Sequence, residues 1–290
     1  MGRDISSLND AYEYCRKVAL GHYENFPVGS ILIPKKIRPH FFALYAFMRS
    51  ADDFADLPHR SIEERLALLA DWRRQLNEIL SGKEPEHPVF IALRNTITEF
   101  KLLPEPLHRL LEAFEFDAKG EVRFETFEDL RWYTSRSADP VGELVLALFG
   151  YRDRKLIRLS NEICSGLQLL NFIQDIKEDL SNKRYYYPRE DANIFGLTLE
   201  SDVIIPDRLS LLSLFELERV ESLLDRGSSL AESVSGRLRY ELRAIIRGAR
   251  KMIKKIRRLG GNTSIVRPKL SKWEHALVLA QSLFVKVDGR

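Results

Sequence analysis

Helical periodicity runs through nearly the whole chain, and runs of alternating β-branched residues are almost absent. Asp10 to Leu20, Leu66 to Leu80, and Val203 through Leu224 place apolar residues three and four apart. That spacing gives a helix one apolar face to bury. Gly82 with Pro85 and Pro88, Leu103-Pro104 with Pro106, and Gly150 punctuate the pattern as helix ends or turns. Asp153 before Lys155 to Leu180 reads as a cap opening a long helix. The stretch Gly260 to Ser264 reads as a loop before a last helix around Trp273 to Val285. No sheet, internal repeat or linker is visible. The chain therefore reads as one all-α domain over residues 1–290.

Composition narrows the function classes. A hydrophobic content of 44% with 30% charged residues is that of a soluble globular chain. A net charge of +3 argues against nucleic acid as a partner, and no nucleic-acid motif is present. Cys15 and Cys164 are the only cysteines, which excludes a disulfide framework or CxxC metal knuckle and fits a reducing cytoplasm. The segment Met1 to Asp10 is polar and lacks the apolar core of a signal peptide. No apolar stretch reaches the roughly 18–20 residues that cross a bilayer, so any membrane contact is expected to be peripheral, on the inner membrane surface.

Two acidic sets carry the chemistry. In Ala46 to Asp56, Asp52 and Asp56 are four apart, one turn apart on one helix face, with Asp53 beside them. Like charges at that spacing cost a few tenths of a kcal/mol, about 0.2–0.5, in an isolated helix. The neighbours Phe41, Phe42, Leu44, Tyr45 and Phe47 make the helix apolar, a setting in which acids call for a cation. The competing reading is a helix C-terminus with solvated acids before Pro58.

The second set raises the weight of the first. Gln168, Asn171, Asp175 and Asp179 step by three, four and four, forming one polar stripe. Leu167, Leu169, Leu170, Phe172, Ile173 and Ile176 cover the remaining faces. Two such helices opposed would hold a diphosphate through Mg²⁺, a hard cation that typically takes one or two carboxylates plus phosphate oxygens. Downstream, Lys183 and Arg184 are candidates for phosphate oxygens, and Tyr185 to Tyr187 offer aromatic faces to a carbocation. The alternative there is an ordinary polar loop closed by Pro188. Arg49, one turn before Asp52, is either a second phosphate ligand or a structural ion-pair partner.

Together these residues resemble the squalene/phytoene synthase family. Its first motif appears as Tyr45-Ala46-Phe47-Met48-Arg49 followed by Asp52-Asp53 and Asp56. Its second appears as Gln168, Asn171, Asp175 and Asp179, followed by Arg184 and Tyr186. The resemblance runs from about His22 to Pro188 and more loosely beyond. It implies a single-domain isoprenoid synthase fold with a central cavity. Glu24-Asn25-Phe26-Pro27-Val28, Arg136 to Gly142, and Gln174 before Asp175 resemble the hydroxysqualene synthase branch of bacterial hopanoid pathways.

That branch implies ionisation of presqualene diphosphate and trapping of the rearranged cation by water. No hydride donor is needed, in agreement with the absence of a Gly-rich dinucleotide motif. Residue by residue, the resemblance implies Mg²⁺ on Asp52, Asp56, Asp175 and Asp179, with Asp53 as helper and Asn171 on metal or diphosphate. It implies substrate contacts from Arg49, Gln168, Arg184, Tyr186 and Asn25, with Tyr133 and Tyr186 either stabilising cationic intermediates or positioning the departing diphosphate. The substrate is then a prenyl diphosphate, presqualene or farnesyl, and a presqualene diphosphate synthase is the implied functional partner.

The rivals are condensation of two prenyl diphosphates within the same family, a non-catalytic scaffold, and a terpene cyclase whose second metal motif Gln168 to Asp179 does not match. The six histidines show no metal spacing, and neither cysteine has a nearby base. Arg237 to Arg258, with Glu241 its only acid, reads as a solvated helix face or as a membrane-surface patch.

Overall fold

The computed structural model describes residues 5–21 (side chains from Leu8), 33–120, 122–199, 205–284 and 287. Thirteen α-helices follow one another among these residues: α1 Ile5–Gly21, α2 Arg38–Ala55, α3 Ile62–Leu80, α4 Pro88–Phe100, α5 Glu105–Ala118, α6 Phe127–Ser137 and α7 Asp139–Leu148. They continue as α8 Arg154–Ser181, α9 Arg189–Ile194, α10 Pro206–Gly227, α11 Leu230–Ser233, α12 Gly236–Arg258 and α13 Lys272–Phe284. No strand forms among the described residues, where the β-type pairing is an isolated parallel bridge between Arg123 and Tyr185. The all-α expectation holds. Among these residues no helix is long and apolar enough to cross a membrane.

The helices gather into two compact units. One comprises Met1–Lys119 and Glu143–Arg152, the other Gly120–Gly142 and Asp153–Arg290. In the first, α3 opens on a capping box in which Ser61 and Glu64 satisfy each other's backbone N–H groups. Pro88 and Pro106 sit in the first turns of α4 and α5, where a missing N–H costs nothing. The core gathers Phe47, Leu69, Leu76, Phe90, Leu93, Leu107 and Leu110, all fully buried. Trp72 packs on Phe90 with ring centroids 4.5 Å apart, and its indole N–H donates to the Phe47 carbonyl at 3.2 Å. His40, buried, is satisfied by Tyr12 and Thr96 at 2.9 and 3.1 Å, a structural role.

In the second unit, Asp153 caps α8 by accepting from the Lys155 and Leu156 N–H groups, as its position predicts. Helices α8 and α10 pack together with Gly166 and Gly227 at their points of close approach. A Cβ on Gly227 would lie 2.6 Å from Ile163 Cγ1 and 2.8 Å from the Leu159 carbonyl oxygen. One on Gly166 would lie 3.2 Å from Leu223 Cβ. Because the Leu159 carbonyl and the Ile163 N–H that face Gly227 are backbone, the helices must separate to admit a methyl group. Gly227→Ala is expected to lower stability by about 1–3 kcal/mol despite alanine's higher helix propensity. An unchanged urea midpoint would show that the seam is looser than this.

Elsewhere in this unit, residues 122–125 and 185–190 run side by side. Tyr185, Arg189 and Glu190 donate backbone N–H groups to the carbonyls of Val122, Phe124 and Glu125 at 2.8, 2.9 and 3.0 Å. Buried Asp139, within the Arg136 to Gly142 segment, accepts from the Ser165 hydroxyl at 2.6 Å.

Candidate active site

The first acidic set sits where α2 stops. The helix is buried from His40 to Phe47, and its last turn emerges half-exposed. Asp56 is the C-cap residue, its N–H bonded to the Asp52 carbonyl. Asp52 and Asp56 therefore remain one turn apart, and the set lies at a helix C-terminus before Pro58, as the competing reading expects. Carboxylates at that end face the negative pole of the helix dipole, an unfavourable placement of about 0.3–1 kcal/mol each. The last turn of α2 carries no basic residue to offset it. Arg49, one turn back, bonds Asp52 at 3.0 Å and Asp53 at 2.6 Å, with both carboxylates still partly open to solvent at 38% and 44% exposure.

The second set lies in the other unit and repeats the arrangement. Gln168, Asn171, Asp175 and Asp179 line one side of α8 and are each half-buried, whereas Leu169, Leu170, Phe172, Ile173 and Ile176 between them are buried. The stripe reaches the C-terminus of α8, again without a basic residue in the last turn. Burial raises the carboxyl of Asp179 to about 7, the charge of Asp175 adds to the rise, and Arg184 works against it. Burial also raises Asp175, against the opposing charge of Arg267.

Arg184 is placed by a tight turn. Lys183 takes a left-handed φ of 57°, and the Arg184 N–H returns to the Asp179 carbonyl at 2.8 Å. Tyr186, buried, stacks on Phe172 with centroids 3.8 Å apart and planes 5° from parallel. Tyr133 joins them, 5.9 Å from Tyr186 and 6.3 Å from Phe172, and Phe124 lies 5.4 Å from Tyr133. Tyr133 and Tyr186, far apart in sequence, thus belong to one aromatic cluster beside the polar stripe. Asn25 lies outside the described residues, as does His22.

Three participants carry no mark in the sequence. Phe172 and Phe124 complete the aromatic cluster. Arg267, 92 residues from Asp175, grips it through Nε at 2.5 Å and Nη2 at 2.9 Å. The adjoining Pro268 carbonyl accepts from the Gln174 side-chain amide at 3.1 Å, which fixes the 267–268 loop against α8. Gln174, Asp175 and Arg267 line a recess of about 320 Å³ with Lys177, Ser181 and Thr263. No local pattern marks Arg267 or Phe124.

The donors fit a hard divalent cation. Among the described residues no group of three or more His, Cys, Asp or Glu side chains converges to form a metal cage. Mg²⁺ does not require one, because it keeps several waters and typically binds through one or two carboxylates plus substrate phosphates. Burial is the main cause of the raised Asp175 and Asp179 carboxyls, and a cation beside them would lower both.

An all-helical chain in which two helices each end in spaced aspartates has the form of an isoprenoid synthase. Residues 19–274 match the family model for squalene/phytoene synthase. The chain is 34% identical over 220 residues to the hydroxysqualene synthase of Zymomonas mobilis, covering 74% of this chain and 72% of that protein. It is 28% identical over 239 residues to the 15-cis-phytoene synthase of Synechococcus elongatus, covering 77% and 76%. The crystal structure of squalene synthase HpnC from Alicyclobacillus acidocaldarius superposes with a TM-score of 0.80 at 37% identity, covering 89% of this chain and 97% of that one. The chain belongs to the squalene/phytoene synthase family and has its all-α isoprenoid synthase fold.

Proposed function

We propose that the chain is a hydroxysqualene synthase, converting presqualene diphosphate and water to hydroxysqualene and diphosphate with Mg²⁺. The observation that carries this reading is the juxtaposition of two desolvated, mutually repelling carboxylates on α8 with Phe172 of the same helix, on which Tyr186 stacks from the following segment. One feature calls for a cation carrying a polyanion, and the other suits a carbocation. The similarity to hydroxysqualene synthases of Zymomonas mobilis and Sinorhizobium fredii, at 34% and 31% identity, supports the branch.

In this reading residues 1–290 act as a single squalene/phytoene synthase-like domain that takes a prenyl diphosphate. Asp52, Asp56, Asp175 and Asp179 hold Mg²⁺, assisted by Asp53 and Asn171, and bound Mg²⁺ supplies charge neutralisation for the departing diphosphate. Arg49 and Arg184 bind diphosphate oxygens. As the carbon–oxygen bond breaks, its electron pair leaves with the diphosphate. The aromatic faces of Tyr133, Phe172 and Tyr186 stabilise the cyclopropylcarbinyl cation and its rearranged successor. Gln168 lines the polar wall near that cation. Water adds to the carbon and loses a proton, completing the alcohol. Asn25 contributes a further substrate contact. A presqualene diphosphate synthase is the enzyme that would feed this step.

Condensation of two prenyl diphosphates is the second reading, favoured by the match to phytoene synthases over three quarters of the chain. Incubation with Mg²⁺ and presqualene diphosphate, without reductant, separates the two by mass spectrometry of the organic extract. Hydroxysqualene is the expected product. A product from farnesyl or geranylgeranyl diphosphate alone would replace the first reading by the second. Inertness toward all three would remove both.

A further inference from the structure

Helix α13 turns its apolar side outward. Only Val278 and Ser282 of its thirteen residues are buried. Trp273 and Phe284 are each 86% exposed, and Leu277 is exposed with them. At 100° per residue, Trp273, Leu277, Ala280 and Phe284 fall within an arc of about 60°. Exposed Ala276, Leu279 and Leu283 widen that face. Ordinary surface helices place their polar side here. The preceding loop exposes Ile265 and Val266 as well.

Charge accompanies the apolar face. Glu274, the only acid on α13, is engaged by Lys255 at 3.3 Å and Lys251 at 3.8 Å. On α12, Lys251, Lys254, Lys255 and Arg258 share an arc of about 100°. Lys254, Arg258, Lys269 and Lys272 are exposed, with no acid beside them on either helix except the neutralised Glu274. Elsewhere the basic stretch is less available than its composition suggests. Arg243 is bound to Glu232, Arg250 to Asp225, and Arg257 to Glu218 and Glu221. The solvated-face reading therefore holds for only part of α12.

We propose that the outward face of α13, flanked by these lysines and Arg258, docks the protein on an anionic lipid bilayer. Trp and Phe on the apolar side with Lys and Arg at its borders are the composition that lies in a membrane interface. A polybasic border adds attraction to anionic headgroups near the surface. A second copy of the chain is the weaker occupant. Thirteen residues give a strip about 20 Å long and 10 Å wide, roughly 200 Å². A stable dimer buries about 800 Å² per partner.

The test is co-sedimentation of the full chain with vesicles of phosphatidylcholine, alone or mixed with phosphatidylglycerol. The protein is expected to pellet with the mixed vesicles and to be released by high salt. Trp273→Ser combined with Phe284→Ser should weaken partition by at least about tenfold. Both side chains project into solvent, so circular dichroism should match that of the parent. Tryptophan emission should shift to the blue on binding, and Trp273→Phe should lose the shift while still pelleting. Equal partition of parent and double variant, or no dependence on anionic lipid, would overturn the proposal. So would a dimer that the double variant abolishes, with no vesicle binding by the parent. No substrate is involved, so failure here leaves the catalytic reading standing, and the reverse also holds.

Discussion

Asp175→Asn and Asp52→Asn, each made alone, are expected to reduce diphosphate release by at least about 100-fold, the scale of removing a group aimed at developing charge. Asparagine keeps the shape and one carbonyl oxygen but loses the charge that the proposed Mg²⁺ site requires. The fold should survive both changes. At position 175 the change abandons the Arg267 pair, which is partly open to solvent, and relieves repulsion on the half-buried Asp179 carboxyl. At position 52, Arg49 keeps Asp53 at 2.6 Å. Unfolding midpoints should therefore stay near that of the parent.

A coupled diphosphate assay across an Mg²⁺ titration reads the first quantity, and urea unfolding reads the second. Because the two aspartates belong to different compact units, the pair of variants also asks whether both units serve one reaction. Loss in only one would separate them, and near-normal turnover in either would remove the metal argument.

What could be read in advance follows the range of the forces involved. The cap at Asp153 and the stripe from Gln168 to Asp179 are set by residues within a few turns, so spacing alone locates them. Helix ends are less legible. The apolar run of α2 continues to Ala55, and whether Asp56 falls inside or caps the helix depends on the turn that follows. Contacts across the fold are out of reach of periodicity. Nothing local distinguishes Phe172 from the core leucines beside it. It becomes a candidate only when the zipped 122–125 and 185–190 segments bring Tyr186 over it. Arg267 lies in a loop with no pattern, and only the folded chain sets it against Asp175. The basic stretch of α12 shows the same limit in reverse: composition suggests a solvated face, but three of its arginines serve as counterions to other helices.

Arg219→Met is expected to destabilise the protein by about 3–5 kcal/mol, and by more as the pH rises. Arg219 serves two buried acids at once. It bonds Glu216 at 2.9 Å and Asp191 through Nη2 at 2.9 Å, while its guanidinium lies over the Phe127 and Phe215 rings. Burial holds the Glu216 carboxyl well above the usual glutamate range, and the charge of Asp191 adds to the rise that Arg219 opposes.

The sign follows from that direction. A folded state with a raised carboxyl pKa binds its proton more tightly than the unfolded chain. Its stability is therefore fully present below the ordinary glutamate pKa of about 4.3 and declines as pH rises through the raised value. Without the cation the raised value climbs further and the decline grows. Urea midpoints at about pH 6 and about pH 9 should thus diverge more in Arg219→Met than in the parent, and adding Glu216→Gln should recover part of the loss.

A penalty independent of pH would mean that Arg219 acts through its packing on Phe127 and Phe215 alone. The cluster also bears on the site. It ties α9 to α10, and the Tyr187 hydroxyl bonds Ser213 at 2.9 Å on the same seam. Arg184 and Tyr186 precede α9 on this tethered segment, so loosening the cluster should weaken substrate binding at denaturant concentrations where the helices remain folded.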